Sequence, residues 1–523
     1  MESLEVEASD PFESPVGAFV LDTLTVGMYT DARDAVREYI QNSLDGIRAA
    51  QASGLIGNRD GKIEVRQSST LDELVIRDNG VGITKSVAAQ TLLSIGKSSK
   101  KIGENAGFRG IGRLAGIAYC NTLVFETSHQ GEGVGTRIKF DCEKLRSNFD
   151  PHKPEPTDDL ESVMRGSCKI DIFEEMEKLH FFRVRMKTLK GDGQNFLRFD
   201  YLHPYLTQYA PVDYDSQKFI LAGKIRKLIR DASFEVPAVG IDLINDEEAR
   251  HQARKPYRGC VRLHGGDTME IADIVHFSDQ SGKERYWGWY GKSELLGSIT
   301  NKECAGLRIR VENIMVGGPQ LTRQFFAAAA RSNDRFNDYY VGEIFLRTGL
   351  VVPNARRDGF EDTPAWREIR SDLEEFAKSL SAQVRTTSTA RNKSVPKLKI
   401  EVERLISQTD NQSDQGFTSE EDKQKQVAKI EKQVEKVASA LTKDRSADEA
   451  SEIKCLKDKL EQKKEEVSKL KSHAVKNLQG VLNKKQMKVL RAVYDVLKNE
   501  LDEETYNKIK SKIESNLRPK KSG

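Results

Sequence analysis

The residues best suited to chemistry lie between positions 38 and 136. Glu38, Asn42 and Asp45 are spaced four and three apart, so on a helix they share one side. Val36, Ile40, Leu44 and Ile47 take the opposite side. Alone, this spacing describes an amphipathic helix with a polar, wet face. Residues 78–83 then read Asp-Asn-Gly-Val-Gly-Ile, directly after an apolar run. Asp78 leaves an acceptor at a strand end, and Gly80 and Gly82 let the following turn approach a ligand closely. Further on, Gly107-Phe-Arg109-Gly110-Ile111-Gly112 precedes the apolar run LAGIAY. Glycines ahead of a helix N-terminus expose backbone N–H groups that can cradle phosphate. Gly135-Thr136 opens a further strand, where the hydroxyl can join a small polar network. Taken singly, each pattern fits a solvated helix face or an ordinary turn; their order carries the weight.

The elements that must position these residues are legible in outline. A helix over 31–50 is followed by strand-like IEV (63–65) and LVIRD (74–78). TLVFETS (122–128) and GTRIKF (135–140) follow the glycine-rich stretch. From about 150 to 365 strands dominate, among them CKIDIFE, HFFRVRM, RYWGWYG, GLRIRVENI and VGEIFLR. Turn residues separate them, which predicts a second α+β domain. From Trp366 the pattern turns helical, with Ile369, Leu373, Phe376, Leu380 and Val384 at 3–4 spacing. Residues 407–420 read as a polar linker. Beyond it, Val427, Ile430, Val434, Val437 and Leu441 form one apolar seam, and Ile453, Leu456, Leu460, Val467 and Leu470 form a second, out of phase with the first. TKDRSADEAS between them predicts a chain reversal and a helical hairpin. Such seams suit coiled-coil packing, or packing on a neighbouring domain.

The run E-x-x-x-N-x-x-D, DNGVGI, GxxGxG and GT resembles the ATP-binding domain of the GHKL superfamily, which contains gyrase, the heat-shock-90 chaperones, histidine kinases and MutL. The resemblance covers residues from about 15 to 145. It implies ATP and Mg2+ as cofactors and a Bergerat α/β sandwich. Residue by residue, Glu38 matches the general base that activates water, and Asn42 the Mg2+ ligand. Asp45 looks like a polar support beside the nucleotide. Asp78 matches the acceptor of the adenine amino group, Gly80 and Gly82 belong to its turn, and Thr136 matches the hydroxyl that shares a water with Asp78. Gly107, Arg109, Gly110, Ile111 and Gly112 match the lid loop over the triphosphate. SIGKSSKKIG (94–103) resembles the mobile lid segment, with Lys97, Ser98 and Lys100 as phosphate contacts. VVPNARRDGFE (351–361) resembles the chaperone segment that reaches the γ-phosphate from a second domain. By that likeness Asn354 and Arg357 are the contacts, with Arg356 and Asp358 beside them.

The expected fold class is therefore α+β. An ATP-binding domain takes 1–150, a transducer-like α+β domain 151–365, a helical connector 366–406, a polar linker 407–420 and a helical coiled-coil tail 421–523. The expected activity is that of an ATPase, a heat-shock-90-like clamp acting on a protein or nucleic-acid partner in stress response or anti-phage defence. The alternatives are a nucleotide-gated scaffold, or a MutL-like DNA-transaction clamp whose effector is a partner chain. Histidine kinases place a phosphoacceptor His ahead of this domain, whereas the 37 residues before Glu38 contain none. No acidic toprim cluster or metal-endonuclease motif follows, and the long client-binding region of true chaperones is missing.

Composition adds little more. Net charge is +3, but from Glu421 onward 26 Lys+Arg face 18 Asp+Glu, a surplus of +8 that leaves −5 on the first 420 residues. A basic tail permits an anionic partner such as nucleic acid without requiring one. The expected partner is a second copy or another protein held by the C-terminal helices. No apolar run is long enough for a membrane span, the acidic start MESLEVEASDPFE has no signal-peptide core, and six scattered cysteines lack any C-x-x-C. These features predict a cytoplasmic protein.

Overall fold

The computed structural model describes residues 29, 31–94, 110, 112–148, 160–392, 394–415, 417, 420–441, 447–470 and 484–516. The fold is mixed α+β. By internal contacts the chain divides into two units, 1–384 and 385–523.

The first sheet uses β1 (Lys62–Ser68), β2 (Glu73–Asp78), β3 (Cys120–Ser128), β4 (Val134–Asp141), β5 (Cys168–Glu174), β6 (Phe181–Leu189), β7 (Gly240–Ile244) and β8 (Arg250–Gln252). Its strand order is β5-β4-β3-β6-β2-β1-β7-β8. The expected boundary at residue 150 does not coincide with the edge of this sheet, because β5 to β8 come later in the chain and still hydrogen-bond into it. The reason is visible in β6. Val184 and Met186 alternate inward into the same core as Leu74, Ile76, Leu123 and Phe125, so β6 fits between β2 and β3. Its outward residues are Arg183, Arg185 and Lys187, as expected for a sheet with one wet face. There Glu126 pairs with Arg137 at 2.7 Å and Arg183 at 2.6 Å, across strands.

Helix α1 (Arg33–Ala52) lies over the inner face. Val36, Tyr39, Ile40, Leu44 and Ile47 are buried there, each contributing roughly 1.5–3 kcal/mol of transfer free energy. The helix is buried well beyond that apolar stripe, since Asp34, Arg37, Glu38, Ser43 and Asp45 are buried too. Polar residues on a helix with almost no solvent face need partners inside the fold. Helix α2 (Phe199–Tyr209) supplies one: Tyr205 donates to Asp34 Oδ1 at 2.7 Å.

A two-stranded ribbon, β9 (Cys260–Arg262) with β10 (Thr268–Glu270), leads to a second sheet. That sheet has β11 (Asp273–Ser278), β12 (Tyr286–Lys292), β13 (Gly306–Val311), β14 (Ile314–Val316) and β15 (Val341–Leu346), in the order β11-β12-β15-β13-β14. Helix α3 (Gly318–Ala329) and the first part of α4 (Pro364–Asn392) cover one face, burying Phe325, Trp366, Ile369, Leu373 and Leu380. Within this sheet Glu343 is enclosed by Lys255 at 2.8 Å, Arg310 and Tyr214.

In the second unit, α5 (Val395–Gln415), α6 (Glu420–Leu441) and α7 (Ala447–Lys469) share one core that includes Leu398, Val402, Ile430, Val437, Ile453 and Leu460. The expected connector and polar linker are thus mostly helix, continuing to Gln415. SQTDNQSDQ looked structureless because its inward contact is polar: Gln426 Nε2 donates to the buried Thr409 hydroxyl at 2.8 Å. Helices α8 (Lys484–Glu500) and α9 (Glu503–Asn516) follow. Among the described residues, no helix is long and apolar enough to cross a membrane.

Candidate functional site

The site grows from α1 and the end of β2. Asp78 is buried, with Oδ1 accepting from the Gly80 N–H at 2.8 Å and the Phe182 N–H at 3.4 Å. The Ser43 hydroxyl of α1 also favours the charged form of its carboxyl. Burial pushes that carboxyl up to about 6, against the pull of these hydrogen bonds. The turn after it runs hard against α1. Val81 N–H donates to Gly46 O at 3.0 Å, and a Cβ on Gly80 would lie 2.7 Å from the Gly46 carbonyl carbon. Gly82 adopts φ +69°, where a Cβ would collide with Ser128 O. Both glycines are therefore demanded by the closeness of turn, helix and sheet.

A second wall forms where the glycine-rich loop re-enters the fold. Gly110 has φ +68°, and a Cβ on Gly112 would collide with the Glu38 carboxylate. The last glycine of GFRGIG thus abuts the proposed base. A short 3-10 helix follows (Gly112–Ala118), fixed by the Gly116 N–H donating to Tyr39 Oη at 2.8 Å.

The other side of Glu38 is occupied from 319 residues away: Arg357 Nε donates to Glu38 Oε1 at 2.8 Å. Arg357 holds the left-handed φ of +56°, which disfavours any residue with a Cβ. Its N–H donates to Asn354 O at 3.0 Å, and its carbonyl accepts from Gly317 N–H at 2.9 Å, which pins the turn to the start of α3. Arg37 adds a further tie, reaching Arg356 O at 3.5 Å while paired with Asp34 at 3.0 Å. The second sheet touches α1 again where Glu312, at the β13–β14 turn, pairs with Arg48.

Several expected residues come together: Glu38, Gly112 and Arg357 meet directly, and Asn42 and Asp45 follow Glu38 along α1. Gly80 and Gly82 line the Asp78 turn. Lys97, Ser98, Lys100, Gly107, Arg109 and Ile111 lie outside the described residues. Thr136 cannot share a single water with Asp78. The register runs Asp78, Phe182, Thr127, Thr136 on four successive strands, so at ~4.8 Å per strand the two are about 14 Å apart. The hydroxyl closer to the turn belongs to Thr127, which accepts from Ile83 N–H at 2.8 Å and donates to Phe181 O at 3.0 Å. Asn354 is also directed elsewhere, its amide donating to Asp358 at 2.6 Å. Sequence reasoning missed Ser43, Arg37 and His180, whose Nδ1 lies 2.8 Å from Gly80 O. Ser43 sits at the border of the apolar and polar sides of α1, where spacing marks neither role.

The family model described as "Histidine kinase-, DNA gyrase B-, and HSP90-like ATPase" matches residues 29–167. This region is a GHKL-type ATPase domain. No curated protein matches the chain. The match supports ATP binding and hydrolysis in general and spans α1, the Asp78 turn, the glycine loop and β3 to β4. The residues present fit the nucleotide and metal that such domains use. A buried acceptor faces a glycine-walled turn, and a single amide one turn from a carboxylate suits Mg2+, which takes few protein ligands and keeps waters and phosphate oxygens.

The raised carboxyl of Asp78 predicts a cost to stability. A carboxyl lifted from 3.8 to about 6 binds its proton more tightly folded than unfolded. Stability attributable to it is complete below pH ~4 and is lost as pH rises to ~6. Asp78→Asn is therefore expected to stabilise the nucleotide-free ATPase domain by about 1–3 kcal/mol at pH 7.5, while weakening ATP binding by a similar ~1–3 kcal/mol. Thermal unfolding at pH 7.5 and pH 4 checks this. The gain should vanish at the lower pH, and equal melting points at both would reject the assignment.

Proposed function

We propose that this chain binds Mg·ATP over α1 and the Asp78 turn and hydrolyses it in a clamp-like cycle. Glu38 would take the proton of the attacking water, Asn42 would hold Mg2+, and Asp78 would accept from the adenine amino group. Mg2+, when bound, neutralises charge on the phosphates. The observation that carries the reading is the Arg357–Glu38 pair at 2.8 Å. It supports a cation delivered from the second sheet to the base, where phosphoryl charge would develop.

Arg357 is paired with Glu38 in this structure. A γ-phosphate, more highly charged than a carboxylate, would compete for the guanidinium and release the base. Closure of the second sheet's turn on α1 would then be coupled to hydrolysis. A heat-shock-90-like clamp working on a protein or nucleic-acid partner fits this coupling, and coiled-coil helices beyond residue 420 would read it out. The same pair also favours a second reading: with its base neutralised at rest, the chain could serve as a nucleotide-gated scaffold whose hydrolysis is slow until a partner opens the pair.

Phosphate release and direct binding with Mg·ATP and Mg·GTP test the first reading. ATP should bind at least tenfold more tightly, because a keto oxygen cannot donate to Asp78. Equal affinity for both nucleotides would remove the basis for the site.

A further inference from the structure

Helix α8 carries an apolar stripe that stays exposed among the described residues. Val489, Val493 and Val496 are 65%, 43% and 60% exposed, at a 4-3 spacing that keeps them on one side of the helix. A neighbouring stripe, Leu490, Tyr494, Leu497 and Leu501, is half-buried. That side faces α9, where Lys510 lies over the Tyr494 ring at 5.7 Å and over Tyr506 at 5.8 Å. The hairpin spans 33 residues, 484–516. Among the described residues, the core of the preceding three-helix bundle takes nothing from it. An apolar unit below about 40 residues needs a staple or a partner.

Charge along α8 and into the turn that follows it indicates which partner. By sequence, residues 484–491 hold Lys484, Lys485, Lys488 and Arg491 and no acid, a charge of +4. Residues 495–504 hold Asp495 and Glu500 against Lys498 at the end of α8, then Asp502, Glu503 and Glu504 in the turn and at the start of α9, a charge of −4. Such a segment is complementary to itself when reversed, and like charges meet if it is paired in parallel. An antiparallel pair about a two-fold axis is also the self-matching arrangement of a closed dimer.

We propose that α8 is a dimerisation helix, packing antiparallel on α8 of a second copy with Val493 at the two-fold axis, so that two hairpins complete a four-helix bundle. This does not depend on the nucleotide reading.

Light scattering on the full chain should give twice 58.9 kDa, and Val493→Lys with Val496→Lys should raise the dimer dissociation constant at least tenfold with unchanged far-UV circular dichroism. Orientation is read by cysteine crosslinking with the exposed Cys260 and Cys455 changed to Ser. Val493→Cys should crosslink readily. Val489→Cys should not, because antiparallel pairing separates the two copies of residue 489 by about 12 Å along the axis. A monomeric wild type would overturn the proposal and leave the stripe to a different protein. So would a dimer that survives the lysine variants, or equal crosslinking at both positions, which would mean parallel pairing.

Discussion

Glu38→Ala is expected to bind Mg·ATP with near wild-type affinity and to hydrolyse it roughly 10²–10⁴-fold more slowly, the usual contribution of a general base. The carboxylate lies between the Gly112 backbone and the Arg357 guanidinium, so deleting it acts on geometry as well as on proton transfer. It leaves Arg357 without this partner inside a half-closed contact, and breaking such a pair destabilises the fold. Glu38→Gln separates the two effects. The amide fills the same space and can still accept from Arg357 Nε, yet it cannot take a proton at neutral pH. The two variants should therefore share the loss of turnover and differ in melting temperature, with Glu38→Ala the lower. Single-turnover hydrolysis beside nucleotide binding and thermal unfolding supplies all three readouts. Normal turnover in Glu38→Gln would mean that another group is the base, or that the chain is a scaffold whose hydrolysis never depended on Glu38.

What the sequence revealed, and what it hid, follows from how local each feature is. The polar row Glu38, Asn42 and Asp45 needs only helical period, and the Asp78 turn needs only a strand followed by two glycines. Both were legible. The limits of the first sheet were not, because β6 reaches its place between β2 and β3 through pairing with strands about 60 to 110 residues earlier. Alternation in HFFRVRM announces a strand without announcing its neighbours. Thr136 failed for the same reason: a Gly-Thr at a strand start looks alike on any strand, and only the register reveals two intervening ones. The polar segment 407–415 misled in the opposite direction, since a buried Thr409–Gln426 hydrogen bond leaves no apolar trace. Arg357 lies between these cases. Its turn was readable as Pro-Asn-Ala followed by two arginines, and the chaperone likeness singled out Arg357; the residues alone do not say which arginine points inward, because that is set by backbone shape.

That shape underlies the last prediction. Arg357→Ala is expected to keep near-normal ATP affinity and to lose turnover by roughly 10²-fold, the scale for removing one preorganised charge-stabilising donor. Arg356→Ala should change little. Arg356 is exposed and contributes to the site through its carbonyl, which Arg37 reaches at 3.5 Å and which alanine retains. Both substitutions keep a Cβ, so the strain of φ +56° at position 357 is common to wild type and Arg357→Ala and cannot account for a difference. Arg357→Lys is the sharper probe: an ammonium can still neutralise Glu38 but cannot present two parallel N–H donors to a phosphoryl group. If Arg357 acts on the transition state, lysine should recover only a small part of the lost rate. If instead the ion pair is merely a brake on the base, Arg357→Ala should hydrolyse ATP faster than wild type, and the lysine variant should restore the slow rate. Steady-state turnover of the three variants distinguishes these outcomes by sign. A faster Arg357→Ala would replace the clamp with a gated scaffold in which a partner, rather than the nucleotide, draws the arginine away.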